Sequence, residues 1–300
     1  MKKIAIAMAT VFALATTATL AQPTVNVSGK VNIGVQKTGT DKAQLAGGAD
    51  GSDSRLIFSG SENLGSGLKA NFHLETGFKP DTGSFDNTAN QMFQRQSWVG
   101  LTGGFGEVRA GRQYTLGFLG SIATMPSTYT DPQLAAGLGF NGAASRNNDQ
   151  IQYWSPTVGG IQLGASTQLS GDTATKTNEV AVKYTTGPIA VNLTSTKVDG
   201  TNGQAVGLNA AYDFKVAKIA IGAVDRAGTG TGKGSFVRVT APAGATQLFA
   251  GYAHNNDTKV NAHDVGAYYS LSKRTRLYAI YASGNKTVTD RTTFGIDHNF

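Results

Sequence analysis

The chain has 300 residues, with 26 basic against 19 acidic side chains, 39 glycines, 7 prolines and no cysteine. The missing cysteines exclude a disulfide framework and any thiolate metal site, and the glycine excess over proline fits many turns between twisted strands better than disorder. Without Lys2 and Lys3, 24 of the 26 basic residues remain against 19 acidic ones; this mild, dispersed positive charge argues against a nucleic-acid-binding surface.

Residues 1–21, MKKIAIAMATVFALATTATLA, join two lysines, an apolar stretch from Ile4 and small residues at Thr19 and Ala21. This is the pattern of a cleaved secretory signal peptide, and its apolar core is shorter than the ~20 residues that span a bilayer. Cleavage behind Ala21 leaves residues 22–300 as a single domain, because nothing marks a second one. No later segment approaches a membrane helix, but a closed β-barrel also satisfies every backbone group within lipid.

The first mature strand, 24–36, puts Val25, Val27, Val31, Ile33 and Val35 on one face and Asn26, Ser28, Lys30 and Asn32 on the other. Side chains on a strand alternate, so this is a two-faced strand with a greasy side and a wet side. The same dyad recurs at 55–61, 68–76, 93–101, 107–113, 151–155, 160–169, 179–186, 189–197, 205–214, 218–226, 235–241, 246–254, 263–271, 276–283 and 291–300. Tight turns alternate with longer polar loops along this series, as in outer-membrane barrels. The expected fold is therefore all-β, a sixteen-stranded antiparallel transmembrane β-barrel in the bacterial outer membrane. The strand 217–224 carries small residues on both faces, which leaves its phase open. The longest connection runs from about 114 to 148. The last strand places Phe294, Ile296, His298 and Phe300 on one face, and a terminal Phe300 looks like the recognition signal of the barrel-assembly machinery.

Other motifs are weak. GTGTGKGS at 228–235 lacks the spacing of a phosphate-binding loop and precedes no helix. DGSDS at 50–54 lacks calcium-loop spacing and reads as a solvated loop. The four histidines show no zinc spacing, so neither a metal nor a cofactor is expected. No histidine has convincing partners for a hydrolytic triad; the chain reads as no enzyme. A barrel hydrolase and a receptor or adhesin acting through long loops stand as alternatives to a channel.

The blocks SRLIFSGSENLGSGLKANFHLE, FQRQSWVGLTGGFGEVRAGRQ, SRNNDQIQYWSPTVGGIQLGAS, LSKRTRLYAIYA and the terminal GIDHNF closely resemble Gram-negative general porins of the β-proteobacterial, anion-preferring branch. The resemblance covers essentially the whole mature chain. It implies a homotrimer, passive diffusion of small hydrophilic or anionic solutes, outer-membrane lipid as surroundings, and a third long loop folded into the lumen. That loop lacks the Pro-Glu-Phe-Gly signature of enterobacterial porins. By resemblance Arg55, Arg95 and Arg146 line the pore constriction, with Arg112 near them and Asp131 the single carboxylate of the third loop. Alternation adds Lys30 and Lys69 as lumen-facing extensions of a basic track, and puts Glu75 on the wet side, where it could neutralise an arginine. Counting phase from Arg95 places Trp98 on the opposite face, in an aromatic girdle toward lipid.

Overall fold

Alternation becomes a single closed wall. The computed structural model describes residues 24–86, 91–124, 145–169, 176–200, 203–226, 232–286 and 288–300. The leader and Asp131 lie outside the described residues. The strands are β1 (Thr24–Thr38), β2 (Gln44–Gly47), β3 (Ser54–Gly65), β4 (Leu68–Lys79), β5 (Ser84–Phe85), β6 (Gln96–Gly103), β7 (Gly106–Tyr114), β8 (Arg146–Trp154) and β9 (Ile161–Gln168). They continue as β10 (Thr177–Thr186), β11 (Ile189–Val198), β12 (Ala205–Asp213), β13 (Lys218–Arg226), β14 (Gly234–Ala243), β15 (Thr246–Asn255), β16 (Asn261–Ser270), β17 (Thr275–Gly284) and β18 (Arg291–Asn299). β2 and β5 are short pieces within loops, and the other sixteen form the wall. Each wall strand pairs antiparallel with its neighbours in sequence, and β1 closes on β18 from Lys30↔Asn299 to Thr38↔Arg291. Closure leaves no unpaired edge, which a wall standing in hydrocarbon requires.

The outer surface is apolar: Val99 is 60% exposed, Val180 57%, Ile221 54% and Leu208 49%. Side chains between them, including Gln152, Asn192, Thr194 and Asp297, are buried on the inner side. β13, whose phase the sequence leaves open, turns Ile219 and Ile221 outward and buries Ala220 on the inside. Ile221→Lys is therefore expected to destabilise the barrel by about 2–4 kcal/mol, the range for a cation near mid-bilayer on the lipid face. Denaturant titration of folding into liposomes checks this; an equal loss for Asn71→Lys, on the wet side of β4, would reverse the assigned phase.

The tight turn between β6 and β7 depends on Gly106, whose φ is +103° and where a Cβ would come within 2.1 Å of the Trp154 carbonyl oxygen. β8 begins at Arg146, five residues earlier than the alternation alone marks, because Arg146 and Asn147 still pair with Tyr114 and Gln113 of β7. Two segments then leave the wall for the interior.

The first follows β7. Helix α1 (Leu116–Thr124) packs against β9 to β13, most of all β11. Thr115 caps it, its hydroxyl accepting from the Phe118 amide at 3.2 Å. The Glu179 carboxylate of β10 accepts from the amides of Leu116 at 2.9 Å and Gly117 at 3.2 Å, placing an anion where a helix leaves its amides unpaired. Gly120 lies against β11, a Cβ there meeting Thr194 at 3.0 Å. The long loop after β7 thus enters the lumen over its described part.

The second excursion lies between β2 and β3. Ile33 pairs with Gly47 and Lys30 with Arg55, so Val31 and Asn32 face the whole of 48–54 and the extra residues are pushed inward. Asp50 is 1% exposed. The DGSDS stretch is thus no solvated tip: its first aspartate is buried against the inner wall, because the wall register leaves it no outward path.

Candidate functional site

The arginine cluster grows from β3, β4 and the start of β6. Glu75, inward on β4 and 2% exposed, is its hub. Arg95 Nε donates to Glu75 Oε1 at 2.7 Å, and Arg55 Nη1 lies 3.5 Å from the same oxygen. Gln96 Nε2 donates to Glu75 Oε2 at 2.7 Å and His73 Nε2 lies 3.2 Å from it. Arg95 also meets Asp53 Oδ2 at 2.8 Å and Asp86 Oδ2 at 3.6 Å. The Tyr114 hydroxyl accepts from Arg95 Nη2 at 3.1 Å and from Arg146 Nη2 at 2.8 Å. Arg146 in turn lies over the Tyr114 ring, 4.4 Å from its centroid. Arg55, Arg95 and Arg146 therefore form one chain of contacts through Glu75 and Tyr114.

Arg112 is not part of that chain. Gly111, at φ +132°, opens a register shift between β7 and β8, and Arg112 beside it donates to the Gln94 carbonyl at 2.5 Å and to Asn148 Oδ1 at 2.6 Å.

Two expectations need correction, those for Lys30 and Trp98. Lys30 faces inward but is 7% exposed, with Nζ 2.8 Å from Asp297 and donating to Ser52 Oγ at 2.8 Å, so it is a paired charge in the wall rather than a step of an open basic track. Glu75 stands on the wet side and neutralises Arg55 and Arg95, as its alternation implied. Trp98 faces inward: it pairs with His73 across β4 and β6, the rings stack at 5.6 Å, and Arg109 lies 4.4 Å from the indole centroid. The alternation slips at Arg95, where the chain rejoins the wall with its amide on the Glu75 carbonyl, so Arg95 and Gln96 both reach Glu75 and every later residue of β6 reverses face. Lys69 stands exposed near the foot of β4, paired in register with Thr102. Phe300 exchanges backbone hydrogen bonds with Gly29 at 3.1 Å and its ring covers that glycine, sealing the β1–β18 seam.

Several participants are invisible to a motif search. Asp50 Oδ1 accepts from the Ser52 amide at 2.8 Å and from the Asn32 side-chain amide. Asp50 Oδ2 accepts from the Tyr268 hydroxyl at 3.2 Å and lies 3.8 Å from Arg276 Nη2. Arg276 makes a forked pair with Asp297 at 2.9 and 2.6 Å, and Arg238 Nη1 meets Asp264 at 3.2 Å. Alternation on β16 to β18 marks these as wet-side positions; nothing local announces their pairing. A cavity of about 710 Å³ opens at the end of the barrel that holds the chain terminus, and its lining includes Lys30, Arg55, Lys273, Arg274 and Arg276 with one acidic side chain, Asp297.

This arrangement holds fixed positive charge along a water-accessible passage, which acts on whatever ion passes. The described residues contain no group of three or more potential metal ligands.

The comparisons with known proteins agree with this geometry. Residues 5–289 match the family model described as Gram-negative porin. Outer membrane porin protein 32 of Delftia acidovorans is 32% identical over 93% of this chain and 88% of its own length. An outer membrane porin protein of Bordetella pertussis is 27% identical over 82% of each chain. The solved structure of an anion-selective porin from Comamonas acidovorans superposes with a TM-score of 0.75 at 26% identity, covering 93% of this chain and all of that one. With sixteen wall strands closed on themselves and this likeness over nearly its full length, the chain belongs to the Gram-negative porin family.

Proposed function

We propose that the protein is an outer-membrane channel through which small hydrophilic solutes diffuse passively, with preference for anions, and that Arg55, Arg95 and Arg146 set that preference at its narrow section. One observation carries the sign of the selectivity: outside the contacts of Arg95 with Asp53 and Asp86, the cation is the more exposed partner of the inward ion pairs. The Arg55 side chain is 25% exposed and its partner Glu75 3%; Arg276 is 23% exposed and Asp297 0%. An ion in the passage meets guanidinium groups in front of carboxylates, so pairs that cancel in a formal count still present their positive ends. A charge at ~4 Å is worth about 1 kcal/mol at the dielectric of water and more in a narrow protein passage, and salt screens it over roughly 8–10 Å near physiological strength.

The relatives are porins, channels rather than enzymes, which supports a role without bond chemistry. The likeness to trimeric porins supports a homotrimer, and the Phe300 seam suits recognition by the barrel-assembly machinery once the leader of residues 1–21 has been removed. The test is the reversal potential of the purified protein in a planar bilayer under a dilute KCl gradient. The expected sign is that of chloride moving in preference to potassium, shrinking as both baths approach ~1 M; potassium preference in dilute salt would overturn the reading.

A further inference from the structure

Of the carboxylates that touch Arg95, two are withdrawn from the lumen and one is not: the side chains of Glu75, Asp86 and Asp53 are 3%, 16% and 54% exposed. Asp53 comes from the inward excursion 48–53, which is anchored at both ends. On one side Asp50 is held by Asn32, Tyr268 and Arg276, and Ala49 packs with Phe249, Tyr268, Tyr278 and Ile280. On the other, Ser52 Oγ accepts from Lys30 at 2.8 Å and Arg55 at 3.2 Å, and Asp53 bonds Arg95. The excursion thus packs on the inner side of β15 to β17, β1 and β3. Helix α1 covers mainly β11, which stands eight strands from β1 in the ring of sixteen.

We infer that residues 48–53 are a second constriction element facing helix α1 across the lumen, and that Asp53 is a specificity-determining residue: its exposed carboxylate offsets the arginine cluster and moderates the channel's anion preference. The inference rests on the diffusion-channel reading. Its physical content is that the guanidinium cluster is partly neutralised from the solvent side by an exposed residue on a loop, whereas Glu75 neutralises it from within the wall.

The absence of native cysteine allows a test on the assembled channel, without relying on folding of a deletion variant. Asp53→Cys in the full chain is inserted in a planar bilayer, and the same channels are then exposed to a cationic trimethylammonium or an anionic sulfonate methanethiosulfonate reagent, with attachment checked by mass. Expected results are an anion-over-cation permeability ratio about threefold higher than wild type before labelling in dilute salt, higher still with the ammonium adduct, and returned toward wild type with the sulfonate adduct. Both adducts should lower single-channel conductance, since bulk is added at a narrow point. Labelled channels with unchanged ratio and conductance, or a thiol that does not react from the aqueous side, would overturn the inference. Wild-type protein that carries no current would instead overturn the channel reading itself.

Discussion

Arg146→Ala is expected to lower the anion-over-cation permeability ratio by roughly two- to fivefold in dilute salt, with wild-type folding and a conductance equal to or slightly above wild type. Arg146 makes no ion pair among the described residues; its side-chain contacts are the Tyr114 hydroxyl and ring and Ser145 Oγ at 3.4 Å. Its removal takes away a positive charge without uncovering a buried negative one. The range follows from about 1 kcal/mol for a charge at ~4 Å in water, which is about fivefold in a ratio of permeabilities. At ~1 M salt, where screening acts within ~3 Å, the difference should vanish, and Arg146→Lys should restore most of it at low salt. Reversal potentials at two ionic strengths decide the matter; an Arg146→Ala ratio equal to wild type in dilute salt removes Arg146 from the selectivity filter. Arg95→Ala should behave differently. Arg95 is 6% exposed and its loss takes the shortest ion pair from buried Glu75, leaving Arg55, Gln96 and His73 as partners, so the cost should fall below the about 3–5 kcal/mol of a fully unpaired buried charge. Its main readout is folding yield, and any altered selectivity would carry that structural damage with it.

Glu179→Ala is expected to loosen the third loop and turn a steady channel into a noisy one. Glu179 is 2% exposed. Besides the two helix amides it accepts from Ser166 Oγ at 3.0 Å, Thr196 Oγ1 at 3.1 Å and Gln150 Nε2 at 3.4 Å. Truncation leaves several buried donors without an acceptor, at about 1–3 kcal/mol for each that water does not reach, and it withdraws the negative charge from the helix start. The backbone ladder of the wall does not run through that carboxylate, so the β structure should persist with a modest loss of heat resistance from the stranded Ser166, Thr196 and Gln150 donors, while hydrogen exchange at 116–120 should accelerate and open-channel current fluctuations should grow. Glu179→Gln, which keeps one acceptor oxygen, should fall between the two. Unchanged exchange in the alanine variant would mean that the packing of Leu116 against Trp154 and Ala181 holds the helix by itself.

These experiments bear on parts of the molecule that differ in how openly the sequence announces them. The wall is legible because a two-residue period is local: Val25 and Val27 against Asn26 and Ser28 show a strand without reference to anything distant. Its sixteen strands and the tight turn at Gly106 follow from such patterns. Phase fails where the chain rejoins the wall out of step, as at Arg95, and the orientation of Trp98 is lost with it. The phase of β13 stays open because its inward residues Ala220 and Gly222 are small, and the reason at Gly222 lies on the neighbouring strands: a Cβ there would meet the Phe236 ring at 2.1 Å and Asn209 Oδ1 at 2.3 Å. Destinations of loops are the least legible of all. The stretch GGADGSDS has the composition of a surface turn, and only the register of β1 against β2 and β3, with an anchor at Tyr268 that is 218 residues away from Asp50, sends it inward. Glu179 is readable as a wet-side residue of β10, but its role depends on amides from a segment more than sixty residues earlier.

The long reach of the Asp50 anchor has a consequence for biogenesis. The excursion follows the first described strand, while Tyr268 and Arg276, which hold it against the wall, belong to the final hairpins. An emerging polypeptide cannot fix the gauge of its own aperture until the last staves have been laid beside the first, so a stalled or clipped precursor would possess most of a wall and no calibrated opening.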